Sequence, residues 1–164
     1  MEHYRAKIRL LDALRDEIER LQSSGRRVVF TNGCFDLLHP GHARYLCAAR
    51  ALGDYLVIGV NTDRSVRAIK GQGRPVVPED DRAEMLAALD FVDAVVLFDE
   101  EDPLRVIQTL RPDVLVKGGD WSEKDIVGAD EVRSAGGEVR RIPLVPGRST
   151  STIIERIRSG QGAS

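Results

Sequence analysis

VVFTNGCFDLLHPGH, residues 28–42, begins as an apolar run and ends in a turn that holds two of the chain's three histidines. Val28 to Phe30 reads as a strand buried on both faces, because no polar residue alternates with the apolar ones. Gly33 stands where backbone can approach a ligand closely, and Pro40 suits the first turn of a helix. Gly41 and His42 then fall in that turn, where unpaired N–H groups and the positive end of the helix dipole favour an anion. His39 and His42 face the same point, and an imidazole donates a hydrogen bond to a phosphate oxygen whether neutral or charged. Strand, turn and helix, with the polar chemistry at the strand's carboxyl end, form the repeating unit of an open α/β sheet. Three other readings stay open here: a metal site, a Cys34–His39 nucleophile site, and two ordinary loop histidines. A zinc site lacks its further ligands, since His3 is remote and Cys34 fits no standard spacing.

The same kind of run returns at regular intervals. YLVIGV (55–60), AVVLF (94–98) and VLVKG (114–118) are nearly continuous apolar segments, and VRRIPL (139–144) is a weaker fifth. Helical stretches lie between them: Pro40 to Leu52, about Asp80 to Leu89, Pro103 to Leu110, a weaker one from Lys124 to Ala135, and Ser149 to Ile157 at the end. Ahead of the first strand, Ile8, Leu11, Leu14, Ile18 and Leu21 recur at spacings of three and four up to Gly25, which predicts a leading helix over about 5–24. This alternation predicts an α/β, Rossmann-like open parallel sheet of about five strands with helices on both faces, preceded by that helix. A length of 164 residues suits a single domain over 1–164, with a core over about 26–159.

Lysine and arginine total 24 against 26 acidic residues, a net charge of −2, so no global basic field would draw nucleic acid or an anionic membrane. A small phosphorylated ligand needs only local donors. No apolar run approaches the ~20 residues of a membrane span, and the N-terminus has no signal-peptide core, so the expected compartment is the cytoplasm. Cys34 and Cys47 are accordingly read as reduced thiols. There is no G-x-x-x-x-G-K-[ST] loop and no G-x-G-x-x-G after the first strand; GQG at 71–73 is only a partial echo.

The string T-N-G-C-F-D-L-L-H-P-G-H resembles the signature of the nucleotidylyltransferase superfamily, whose hallmark is H-x-G-H after the first strand. STSTII at 149–154 is similar to that family's second signature, and Lys70, Arg82 and KGGDW (117–121) follow in the family's order. Within the superfamily, the blocks ARALGD, GVNTD, RPV, VDAVVLFDE, RPDVLVKGGD and LVPGRSTSTII are most similar to the adenylyltransferase domain of ADP-heptose synthesis for bacterial lipopolysaccharide. The likeness covers about residues 7 to 157.

The resemblance implies transfer of AMP from ATP to a heptose 1-phosphate, with release of pyrophosphate. It places His39, His42 and Lys70 in catalysis. Thr31, Asn32, Gly33, Cys34, Phe35, Gly118 and Asp120 are then nucleotide contacts, as are Ser149, Thr150 and Ser151 as a second phosphate clamp. Asp36, Asn61, Asp63 and Arg82 become substrate contacts. Read alone, these residues admit plainer roles: a helix cap for Ser149, Thr62 or Asp63, a turn bond for Asp36, a solvated lysine, and an arginine among acids. Mg²⁺ is expected, bound mainly through the triphosphate and with no dedicated protein cage. The other implied partners are a second copy in a homodimer and a pathway kinase on a separate chain. Two alternatives remain: a cytidylyltransferase acting on a polyol or amino-alcohol phosphate such as glycerol 3-phosphate, and an inactive nucleotide-binding regulatory module.

Overall fold

The computed structural model describes residues 3–119, 122, 125–147 and 149–160. Five parallel strands form one sheet: β1 (Val28–Gly33), β2 (Tyr55–Asn61), β3 (Ala94–Phe98), β4 (Val114–Gly118) and β5 (Glu138–Ile142). Their order across the sheet is β3-β2-β1-β4-β5. The chain therefore moves outward from β1 in one direction and then returns to its other side, which puts a topological switch point between β1 and β4.

Both faces are covered, as continuous apolar strands require. On one face, Phe30, Val57 and Leu115 pack with Leu14 and Ile18 of α1 (Leu11–Ser23), Ile107 of α5 (Leu104–Leu110) and Val132 of α6 (Ala129–Ser134). On the other, Val29, Ile58 and Val116 pack with Leu46 of α2 (Pro40–Arg50) and Leu86 of α4 (Glu79–Ala87). α3 (Asp63–Lys70) follows β2, and α7 (Thr150–Ser159), with no buried residue, lies against the loop after β1 through a Thr150 Oγ1 bond to the Leu37 carbonyl. No helix among the described residues is long and apolar enough to cross a membrane.

The expected sheet and its five strands are present, with local differences. The leading helix starts at Leu11 and not near residue 5. Ile8 instead bridges Val95, and the Arg9 N–H donates to the Val95 carbonyl at 2.9 Å, so this segment shields the edge of β3. Residues 63–70, not among the expected helical stretches, form α3 behind the Thr62 cap that the sequence admits. Only Ser65 and Val66 of α3 are buried, too few for an apolar period, and its start is set by Thr62, whose side chain accepts from the Ser65 N–H. α6 is shorter than its expected span, whose first residue, Lys124, lies outside the described residues.

Candidate active site

The switch point opens because β1 and β4 part company. Among the described residues they pair only at Val29–Val114 and Phe30–Leu115, while β1 stays paired with β2 as far as Gly33–Val60. Side chains bridge the gap. Thr31 Oγ1 and the Tyr45 hydroxyl lie 2.7 Å apart, and the Tyr45 hydroxyl donates to the Val116 carbonyl at 3.3 Å. Lys117 Nζ donates to Asn32 Oδ1. Above these bridges lies a cavity of about 540 Å³ at the carboxyl ends of the strands.

His39 is the N-cap of α2, with Pro40 next, and its Nδ1 accepts from the Gly41 N–H at 3.1 Å. That bond fixes the tautomer, leaving the His39 proton on Nε2. The His42 ring stacks on His39 with centroids 3.9 Å apart, and Phe35 meets it edge-on at 5.4 Å. His42 Nδ1 is buried without a partner among the described residues, so the proton is better carried on Nε2. Burial, and then repulsion from His39, lowers the His42 pKa to about 4. His42 is therefore a neutral donor at pH 7. The main-chain groups differ from expectation: the Gly41 N–H is taken by His39 Nδ1 and the His42 N–H by the His39 carbonyl. An anion here would meet imidazoles before it met the helix's first N–H groups.

This shift carries a pH prediction. Unfolded His42 takes up a proton near its ordinary value of 6.5, whereas folded His42 resists until about 4. Its contribution is present above pH 6.5 and is lost as pH falls toward 4, by on the order of 1 kcal/mol once solvent screening is allowed for. Urea midpoints at pH 7 and pH 4.5 should fall further in the wild type than in His42→Ala; equal falls would remove His42 as the cause.

The cavity gathers Asn32, Gly33, Cys34, Phe35, His39 and His42 from the β1–α2 turn, and Gly118 from β4. Gly33 lies close under Phe35: a Cβ there would come within 3.1 Å of the Phe35 ring, so the ring would have to shift. Phe35 itself has φ of 47°, a left-handed backbone that costs a non-glycine residue about 1–2 kcal/mol. Ser149, Thr150 and Ser151 line the cavity from the start of α7, and Lys70 lines it from the end of α3. The Ser149 side chain caps α7 by accepting from the Thr152 N–H at 3.1 Å.

Five expected contacts have other work, because their polar groups are already engaged. Thr31 is fully buried beneath the cavity, bonded to Tyr45. Arg82, expected to contact substrate, is 1% exposed. It donates to the carbonyls of Val77, Cys34 and Asn61 and to Asp63, so both Arg82 and Asp63 hold the walls and lie outside the cavity lining. Asp36 borders the cavity, yet its carboxylate accepts from Arg74 Nε at 2.6 Å and from the N–H groups of Val76 and Val77. Burial alone would raise the Asp36 pKa; the two backbone bonds and Arg74 outweigh it and lower it. Asn61 also borders the cavity, with its amide donating to Ser65 Oγ and the Glu100 carbonyl. Asp120 lies outside the described residues. Sequence reasoning missed Arg74, which the chain's RPV block contains and which adds a second cation to the cavity wall, and Lys117.

Residues 30–156 match the family model described as Cytidylyltransferase-like. The chain belongs to the cytidylyltransferase-like family. The matched domain is a nucleotidyltransferase of the H-x-G-H type, with His39 and His42 in the motif. It is 59% identical over 154 residues to bifunctional protein HldE of Citrifermentans bemidjiense, covering 94% of this chain and 32% of that protein. The chain thus spans about a third of the length of the curated relatives it matches. Among solved structures, it is similar to a lipopolysaccharide core biosynthesis protein from Thermoplasma volcanium GSS1, with a TM-score of 0.61 and 29% identity over 74% of this chain and 98% of that one. The cytidylyltransferase-like fold is also shared with a pantoate-beta-alanine ligase from Francisella tularensis, at a TM-score of 0.61 and 16% identity over 88% of this chain and 68% of that one.

Proposed function

We propose that this cytidylyltransferase-like domain transfers AMP from ATP to a heptose 1-phosphate, forming ADP-heptose and pyrophosphate. The observation that carries the reading is the convergence of the His39–His42 turn and Ser149–Ser151 on one cavity at the switch point. The heptose acceptor is supported by the identity to HldE proteins and by the likeness to a lipopolysaccharide core biosynthesis protein.

The acceptor phosphate is already ionised at neutral pH, so its oxygen attacks the α-phosphorus without a general base. The protein's task is in-line positioning and stabilisation of the charge that builds on the departing pyrophosphate. Neutral His42 offers an Nε2 donor beside the stacked His39 ring, Lys70 adds a positive charge at the rim, and the hydroxyls of α7 bind the outer phosphates. Mg²⁺ supplies charge neutralisation between the phosphates when bound. The ion would be held mainly through the triphosphate; the Asp36 oxygens at the cavity edge are taken by Arg74 and by the Val76 and Val77 N–H groups.

The test is pyrophosphate release by purified protein with Mg²⁺ and ATP or CTP, each with D-glycero-β-D-manno-heptose 1-phosphate, its α-anomer or glycerol 3-phosphate. Turnover with ATP and one heptose phosphate is expected. Turnover only with CTP and glycerol 3-phosphate would replace the reading by cytidylyl transfer, and ATP binding without turnover in any mixture would favour a regulatory module.

A further inference from the structure

Where β1 and β4 separate, continuing their register would set Thr31 opposite Val116 and Asn32 opposite Lys117. Tyr45 props the gap beside Thr31, on the face covered by α2. The Lys117–Asn32 bond spans it at the next step, where side chains point to the opposite face. Asn32 lines the cavity and Lys117 does not.

An ammonium only donates, so the Asn32 atom facing Lys117 must be its oxygen. Nδ2 is thereby turned away from Lys117, and it makes no hydrogen bond to a described residue. A free asparagine amide gains nothing from choosing one orientation over the other; this one is pinned by a charged neighbour. The arrangement is costly for the lysine. Burial lowers the Lys117 pKa to about 8, and the field of Asp102 only partly offsets that. A methionine or leucine would fill the strand position without the desolvation cost.

We propose that Lys117 is a positioning residue that holds the Asn32 amide with its Nδ2–H donors directed into the cavity, where they bind an acceptor oxygen of a substrate. The inference rests on the nucleotidyl-transfer reading only for which substrates are present. The oxygen belongs to a phosphate or hydroxyl of the nucleotide or of the sugar phosphate, and the separate Michaelis constants tell which.

The experiment compares wild type, Lys117→Met, Asn32→Ala and the double variant in steady-state turnover, together with thermal melting. Both single variants should raise KM for the same substrate by about tenfold, the scale of one hydrogen bond, with kcat within about threefold. The double variant should be no worse than Asn32→Ala alone, since Lys117 acts through Asn32. Lys117→Met should melt within a few degrees of wild type. Additive losses, an unchanged KM, or a fall in Tm and kcat with KM intact would each overturn the proposal. A second readout does not need turnover: the Asn32 side-chain amide NMR signal of wild type should move when ATP or heptose 1-phosphate is added. If the wild type releases no pyrophosphate with any pair, the functional reading fails. Movement of that signal would still support the role of Asn32, and its indifference to both ligands would sink it.

Discussion

His42→Ala is expected to lower kcat by roughly 10²–10³, the scale for removing one preorganised donor that acts on transition-state charge. KM should change little, because the interaction strengthens only as charge accumulates. The structure gives the reasons. His42 is held between the His39 ring at 3.9 Å and the Phe35 edge at 5.4 Å, so its donor needs no reorganisation. It is also neutral at working pH, with its pKa lowered to about 4 by burial and by His39. The half-buried position makes alanine tolerable to the fold. His42→Gln, whose amide nitrogen reaches close to the position of Nε2, should recover part of the loss. An alanine variant with kcat within tenfold of wild type would remove His42 from the mechanism.

Arg82→Met is expected to cost ~3–5 kcal/mol of stability, as breaking a buried, fully paired charge does. It would strand the carbonyls of Val77, Cys34 and Asn61 as well as the Asp63 carboxylate. Activity should fall with it, because the Cys34 carbonyl bond at 2.6 Å anchors the turn that carries the histidines. Arg82→Lys should not rescue, since an ammonium cannot reproduce the guanidinium fork that reaches three segments at once. The measurement is the urea unfolding midpoint beside the two Michaelis constants. A variant of wild-type stability with a raised KM would instead restore Arg82 to the substrate-contact role that the motif order suggests.

Much of the site was readable because its chemistry is local. The His39–Pro40–Gly41–His42 turn caps its own helix, and Ser149 caps α7; such motifs need only their neighbours. The partners of Arg82 and Asp36 could not be read, for the opposite reason. Each is a polar side chain beside the right motif, but its partners lie far along the chain: Cys34 is 48 residues from Arg82, and Val76 is 40 from Asp36. A charged residue looks the same in sequence whether it meets a ligand or a carbonyl. α3 escaped notice because it buries so little, and the apolar period that includes Ile8 ran on past the true start of α1 because Ile8 packs, partly buried, beside β3 instead.

The sequence by itself therefore determined the parallel α/β sheet, the position of both motifs after strands, and the membership of the two histidines in one site. Two-sided burial forces continuous apolar strands, and capping chemistry is written within a few residues. Only the tertiary structure decided where β1 and β4 part, which polar groups are already satisfied in the walls, and that Lys117 faces Asn32 across 85 residues of chain. Those outcomes depend on which distant groups the packed sheet brings within hydrogen-bond reach.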